Sequence, residues 1–243
     1  MHADPYLEHS LAVLQARLKS PMAQTQGAIG TGTLPFVTIS REVCAGATTV
    51  GQLLTPMLNR EFCEEGRDWV LLDKNLLTHA LTRQNLEERL EKFLPEDRIS
   101  EIKGVIGELM GLHPSLWQLE HQVAKVILQL AQVGHVLFVG RGAHIITQSL
   151  PGGFHVRLVA PLEIRVRRLM ALQNCDTEAA KAIVEKTDLA RRRYLQANFD
   201  RDIEDPRSYD LVINTGRISA AAASQIVIEA LRRKVADAQR SRG

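Results

Sequence analysis

Residues 34–54, LPFVTISREVCAGATTVGQLL, constrain the fold more than any other stretch of the chain. Phe36, Val37, Thr38 and Ile39 form a short aromatic and β-branched run, the composition of a strand. From Thr48 to Leu58 the apolar residues recur at the spacing of one helix face. The connection between the two is small and polar, with Gly46 inside it. A strand, a tight loop and a helix in that order form the repeating unit of an α/β protein.

Such a turn aims backbone N–H groups and a helix N-terminus at one point, an arrangement that suits phosphate oxygens. Set against the phosphate-loop pattern GxxxxGK[ST], Arg41 replaces the first Gly, Gly46 is the second, Ala47 replaces the Lys and Thr48 matches the Ser/Thr. The amides from Ala45 to Thr49 and the Thr48 hydroxyl are present to cradle a phosphate and a magnesium ion, while the lysine charge is missing. A strand-to-helix turn with one glycine is also ordinary in any α/β protein, so this stretch alone leaves both readings open.

Composition narrows the classes. A formal charge of +2, from 30 basic and 28 acidic residues, argues against a dedicated nucleic-acid binder, whose basic residues outnumber or segregate from the acidic ones. Cys44, Cys63 and Cys175 lie far apart, and the eight histidines show no HExxH-type pair, so no structural zinc is expected. No apolar run approaches the roughly 20 residues of a membrane span, and MHADPYLEHS carries acidic residues where a signal peptide is positive. These features point to the cytoplasm, with no membrane or nucleic-acid partner.

Residues 1–33 read as a helix and a linker. Leu7, Leu11, Leu14 and Leu18 share one helix stripe, which either docks on the chain's own core or joins two copies into a homodimer. Residues 20–33, rich in Gly, Thr, Gln and Ala, lead into the first strand. Residues 34–243 then read as one domain. Trp69–Leu72 is a second strand ending at Asp73, where open parallel sheets gather ligands. Asp73 would serve equally as the N-cap of a helix starting near Asn75.

Helical spacing follows over 76–133, broken near Pro95, Gly104, Gly111 and Pro114; its last helix, Ser115–Gln132, is capped by Gly134. His135–Val139 is a third strand, ending in Gly140-Arg141-Gly142. An arginine between two glycines at a strand's carboxyl end is placed for an anion. His155–Val159 is a fourth, followed by a helix with Arg165, Arg167 and Arg168 and by a polar helical segment, 173–200, with Asp188 and Arg191-Arg192-Arg193. Ten basic and nine acidic side chains over 163–207 would also suit a salt-bridged helical surface. Neighbours on a helix point about 100° apart, so at most two arginines of the triplet face one ligand. Tyr209–Ile213 is a fifth strand before Asn214-Thr215-Gly216, and Ala220–Val235 is a closing helix.

Five apolar runs alternating with helices predict a five-stranded parallel α/β sheet, with helices on both faces. The loops after Ser40, Asp73, Gly140, Ala160 and Asn214 then share one edge. Gly46, Asp73, Arg141 and Asn214 all fall on it, and their convergence favours the phosphate site.

The segments FVTISREVCAGATTVGQLL, VLLDKNLL, VLFVGRGAHII, FHVRLVAPLEIRVRRLM and TDLARRRYLQANFDRDIEDPRSYDLVINTGRIS resemble the cytidylate kinase-like family of P-loop nucleoside monophosphate kinases. The resemblance spans about residues 35–232, and its last segment is the most specific. It implies a helical nucleotide-binding region at 74–133 and an arginine-bearing lid at about 168–207. By position it makes Ser40, Ala45, Gly46, Ala47, Thr48 and Thr49 the ATP phosphate cradle, with Thr48 on magnesium. Arg141 matches the arginine of the family's GRD motif, and Asp188 and Arg191 match the pair turned toward the acceptor nucleotide. Arg191, Arg192 and Arg168 would contact phosphates, and Asn214 and Thr215 fall in the loop that passes the adenine. Asp73 would orient the acceptor or the metal's shell, and Arg41 with Arg141 would replace the absent lysine. Gly142 stands where GRD has its Asp, and Val184 where the family places an arginine. Cys44 replaces a residue that is usually Gly, at a cost of about 1–2 kcal/mol if the backbone there is left-handed.

The implied function is a nucleotide kinase that uses ATP and Mg2+ to phosphorylate a nucleoside monophosphate, CMP-like, or a related small phosphorylated acceptor. The missing lysine and altered loop favour an alternative, a catalytically impaired nucleotide sensor or interaction module on the same fold, which the retained lid arginines oppose. A structural α/β protein assembled through its leucine stripe would need no nucleotide.

Overall fold

The computed structural model describes residues 12–13, 34–62, 67–73 and 118–240. The expected leucine stripe, the linker at 20–33 and the helical region at 74–117 lie outside them. Val13, which sits among the stripe leucines in sequence, packs against the chain's own core.

The strands are short and almost wholly apolar because both sheet faces are covered, as in parallel sheets generally. They are β1 (Phe36–Arg41), β2 (Val70–Leu72), β3 (Val136–Val139), β4 (Gly153–Val159) and β5 (Leu211–Asn214), in the order β2-β3-β1-β4-β5 with every pairing parallel. The expected five-stranded parallel α/β fold is therefore the observed one. From β1 the chain goes out to β2 and β3 on one side and later to β4 and β5 on the other. Open sheets bind ligands in the crevice made by such a reversal, here beyond the carboxyl ends of β1, β3 and β4.

Helices α1 (Ala47–Phe62) and α6 (Ala220–Arg240) cover one face, with Val50, Leu54, Leu58, Val227 and Leu231 packed on Val37, Ile39, Val156 and Leu158. On the other, α2 (Gln118–Val133), α3 (Ala143–Ile146) and the end of α5 (Thr177–Phe199) supply Ile127, Ile146, Leu195 and Phe199 to pack with Phe36 and Phe138. Burial of this extent is worth about 25 cal/mol per Å2 of apolar surface and holds the sheet rigid beneath its loops. α4 (Leu162–Gln173) joins α5 over a small cluster of Val43, Val166, Leu169, Ala180 and Val184, which seats the loop after β1.

Most element boundaries differ from expectation by a few residues, and three of the differences have a visible cause. β1 runs on through Ser40 to Arg41, because pairing with β4 continues to Arg41 and Leu158. His135 is outside β3, with φ 54, where its N–H donates to the Pro35 carbonyl at 2.8 Å. The polar segment 173–200 contains a break: Asn174 turns left-handed after α4, and Asp176 caps α5 by accepting from the Ala179 N–H at 2.8 Å.

Candidate active site

The loop between β1 and α1 has the backbone its sequence foreshadowed. Cys44 is at φ 57 and Gly46 at φ 83, two left-handed residues that reverse the chain onto the first turn of α1. A Cβ on Gly46 would meet no heavy atom within 4 Å among the described residues, so glycine serves there for its conformation. The helix opens with Val50 N–H donating to the Gly46 carbonyl at 2.9 Å. Among the described residues nothing accepts from the amides of Gly46, Ala47, Thr48 or Thr49, and Thr48 is exposed beside them. Open helix N-terminal donors next to a hydroxyl are what a phosphate and its divalent cation require, and the residues present fit that pair.

Positive charge surrounds this loop. Two adjoining clefts lie between the strand ends and α5. One, of about 310 Å3, is lined by Arg41, Glu42, Arg157, Arg165, Asp188, Arg191, Arg192, Ile203 and Glu204. The other, of about 330 Å3, includes Ser40, Arg41, Gly140, Arg141, Gly142, His144 and Arg191. Arg41, Arg191 and Ile203 belong to both. Burial lowers the Arg41 pKa to about 10, with further lowering from Arg191 and Arg141 and an opposing rise from Asp73. Arg41 thus stays charged at neutral pH, with the charge of Asp73 near enough to favour it. Arg191 is held by its bond to the Arg41 carbonyl at 3.1 Å. Arg191 and Arg192 line the cleft while Arg193 is exposed and does not, as the helical spacing demands.

Several expected ligand-facing residues are engaged within the fold. Asp188 accepts from the Val43 N–H at 2.8 Å, forms an ion pair with Arg165 and lies 3.7 Å from Arg191. It clamps the loop to α5. Arg168 donates to the Cys44 carbonyl at 3.1 Å and to the Thr215 carbonyl at 2.7 Å, tying the loop to the end of β5. The Thr215 hydroxyl donates to the Ala45 carbonyl at 2.9 Å, and Asn214 accepts from the Gly216 N–H at 2.9 Å. The Ser40 hydroxyl is buried and accepts from Arg157 at 3.2 Å and Tyr209 at 3.3 Å. These side chains brace the loop.

Glu42, Arg157, Arg165, His144 and Tyr209 were not singled out as site residues by the sequence. Glu42 accepts from the Ala160 N–H at 2.9 Å and joins the ends of β1 and β4. The Tyr209 hydroxyl lies 3.1 Å from His144 Nε2 and 2.8 Å from the Ile203 carbonyl. Burial raises the Tyr209 pKa and brings His144 down to about 3, so both are neutral. Arg157 did leave a signal: it is a charge in the middle of the apolar strand FHVRLV.

A parallel sheet in this order, with a phosphate-type loop after its central strand, defines the nucleoside monophosphate kinase-like class of α/β proteins. The sequence profile of the Cytidylate kinase-like family matches residues 36–217, well over half of the chain. The chain belongs to that family. A protein named cytidylate kinase from Methanocaldococcus jannaschii is 26% identical over 117 residues, covering 47% of this chain and 65% of that one. Another of that name from Pyrococcus horikoshii is 30% identical over 121 residues, 49% of this chain and 60% of that one. A protein named uronate isomerase from Corynebacterium glutamicum shares 28% identity over 117 residues, 48% of this chain and 22% of its own. The chain thus spans less than two thirds of the length of each of these relatives. The crystal structure of an uncharacterized protein from Eubacterium ventriosum has the same fold, with a TM-score of 0.61, 19% identity, and coverage of 83% of this chain and 99% of that one. No helix among the described residues is long and apolar enough to cross a membrane.

Proposed function

We propose that this member of the family is an ATP-dependent nucleotide kinase whose acceptor is a nucleoside monophosphate, CMP-like, or a related small phosphorylated molecule. The observation that carries this reading is the set of open amides from Gly46 to Thr49 beside the exposed Thr48 hydroxyl, in the loop that follows β1, with arginine-lined clefts at the neighbouring strand ends. When bound, ATP with magnesium supplies the phosphoryl group and neutralises part of its charge. The residues to hold them are the loop from Ser40 to Thr49, with Thr48 toward the metal and Asn214 and Thr215 toward the base.

Arg141, Arg191 and Arg192 clamp phosphate oxygens, with Arg168 holding the loop behind them. Asp73 and Asp188 set the acceptor side through the arginines they face. Loss of a preorganised cation such as the loop lysine costs about 3–4 kcal/mol of transition-state stabilisation. Arg41 and Arg141 are the groups that offset it, since Arg41 keeps its charge at neutral pH. Closure of the α5 region over the strand edge excludes water that would otherwise hydrolyse the donor.

The test is ATP consumption with magnesium across a panel of nucleoside monophosphates, scored for the diphosphate, with Thr48→Ala, Arg41→Ala and Arg141→Ala alongside. Product with one acceptor that collapses in Thr48→Ala supports the kinase. Unchanged turnover in both arginine variants would refute the compensation by Arg41 and Arg141. Cys44 at φ 57 and Ala47 in the lysine's place favour a second reading, a nucleotide sensor without turnover. That reading expects nucleotide-dependent melting shifts and no product with any acceptor.

A further inference from the structure

Arg157 and Arg165 are buried alike, at 5% and 7% exposure, but are neutralised differently. Arg165 pairs with Asp188, lies 3.4 Å from Glu42 and donates to the Ala160 carbonyl at 2.8 Å. Arg157 donates to the Ser40 hydroxyl at 3.2 Å and lies 5.7 Å from the centre of the Tyr209 ring. Among the described residues no carboxylate lies within ion-pair distance of it. A guanidinium withdrawn from water without a counter-charge is costly, and a hydroxyl and a ring offset only part of that cost.

Arg157 nevertheless lines the 310 Å3 cleft. Five arginines there, Arg41, Arg157, Arg165, Arg191 and Arg192, face three carboxylates, Glu42, Asp188 and Glu204, leaving an excess of two positive charges. Arg191 registers the excess. Its pKa is lowered by burial first and, against the pull of Asp188 and Cys44, by Arg157 and Arg165. The loop amides from Gly46 to Thr49 are no part of this cleft.

We propose that Arg157 anchors an oxyanion subsite on the floor of this cleft, which takes a phosphate or carboxylate group of the small-molecule acceptor. Only the assignment of the cleft to the acceptor rests on the kinase reading. A planar fork suits either oxyanion, and Arg191 and Arg192 stand at the same cleft to complete its shell.

The test is calorimetric titration of the full chain with inorganic phosphate and, separately, malonate, in buffer without nucleotide or magnesium. Phosphate also has the loop amides to occupy, so the subsite is read as the binding that Arg157→Met removes. The wild type is expected to bind at least one anion saturably. Folded Arg157→Met is expected to bind it roughly 30-fold more weakly, and Arg157→Lys in between. Preference for phosphate would assign a phosphate group to the subsite, and preference for malonate a carboxylate. No saturable binding by the wild type, or a folded Arg157→Met that binds as the wild type does, would overturn the proposal. Should Arg157→Met not fold, Arg157→Lys decides, since a point charge cannot reproduce the fork and unchanged binding would sink the idea. Anion binding that survives in protein without kinase turnover would refute the kinase reading and leave the subsite standing.

Discussion

The Arg41 guanidinium lies against Gly140 so closely that a Cβ built on the glycine would sit 1.9 Å from Arg41 Nη1. Gly140 directly follows β3 and Arg41 ends β1, so the bare backbone at the exit of one strand gives the side chain of its neighbour its position. At φ 90 the glycine also holds a conformation that other residues rarely adopt. Gly140→Ala is expected to cost about 1–3 kcal/mol in urea denaturation. It should also lower nucleotide affinity as Arg41→Ala does. A folded variant with unchanged affinity would show that the placement of Arg41 is irrelevant to binding.

Gly142 stands where the family motif has an aspartate, and restoring that residue is expected to harm the protein. A Cβ there would meet the Phe199 ring at 2.9 Å and Leu195 at 3.2 Å, at φ 68. Gly142→Asp should lower stability by about 1–3 kcal/mol, read as a drop in melting temperature, without raising turnover. A gain in turnover at unchanged stability would contradict this packing argument.

Asp188 is a brace between α5 and the phosphate-type loop, through the Val43 N–H and Arg165. Asp188→Asn leaves Arg165 short of a buried counter-charge and is expected to cost about 3–5 kcal/mol. Arg192 and Glu204, paired at 3.2 Å with both side chains about half exposed, provide the contrast. Glu204→Gln is expected to change stability by less than about 1 kcal/mol. Equal effects of the two substitutions in denaturant titrations would remove the distinction.

His144 and His155 make stability fall in acid. Burial lowers His144 to about 3, helped by the charges of His155 and Arg157. Burial lowers His155 to about 4, with Asp210 opposing and Lys234 adding. Both start from an ordinary value of 6.5, so below it the unfolded chain binds protons that the folded chain refuses. Their contribution is complete above pH 6.5 and is lost as pH falls toward about 4 for His155 and about 3 for His144. Each histidine should add a slope of about 1.4 kcal/mol per pH unit within its window. His155→Gln should flatten the pH dependence of the unfolding free energy, and an unaltered profile would place the acid sensitivity elsewhere.

What could be read from the residues in order was local. Strands and helices show themselves by periodicity, and the left-handed turn by Gly46, because a few neighbouring dihedrals decide them. The parallel sheet followed from the alternation of these elements, and Gly46, Asp73, Arg141 and Asn214 from the edge that alternation creates, whereas Arg191 came from the resemblance of its segment to the family. β1 ran on because its pairing with β4 continues to Arg41, and the break before α5 came from the left-handed turn at Asn174 and the cap at Asp176.

The sequence by itself determined the class of sheet, the phosphate-type loop and the edge on which it opens. Only the tertiary structure decided which charges there are paired. Arg157 reaches Ser40 across 117 residues, and Asp188 reaches Val43 across 145. Strand order brings β4 beside β1, and helix packing sets α5 against Val43, just past the end of β1. Whether a buried arginine meets a carboxylate or a cleft depends on those distant neighbours, since ionic interactions act through space and desolvation by whatever happens to lie around the group.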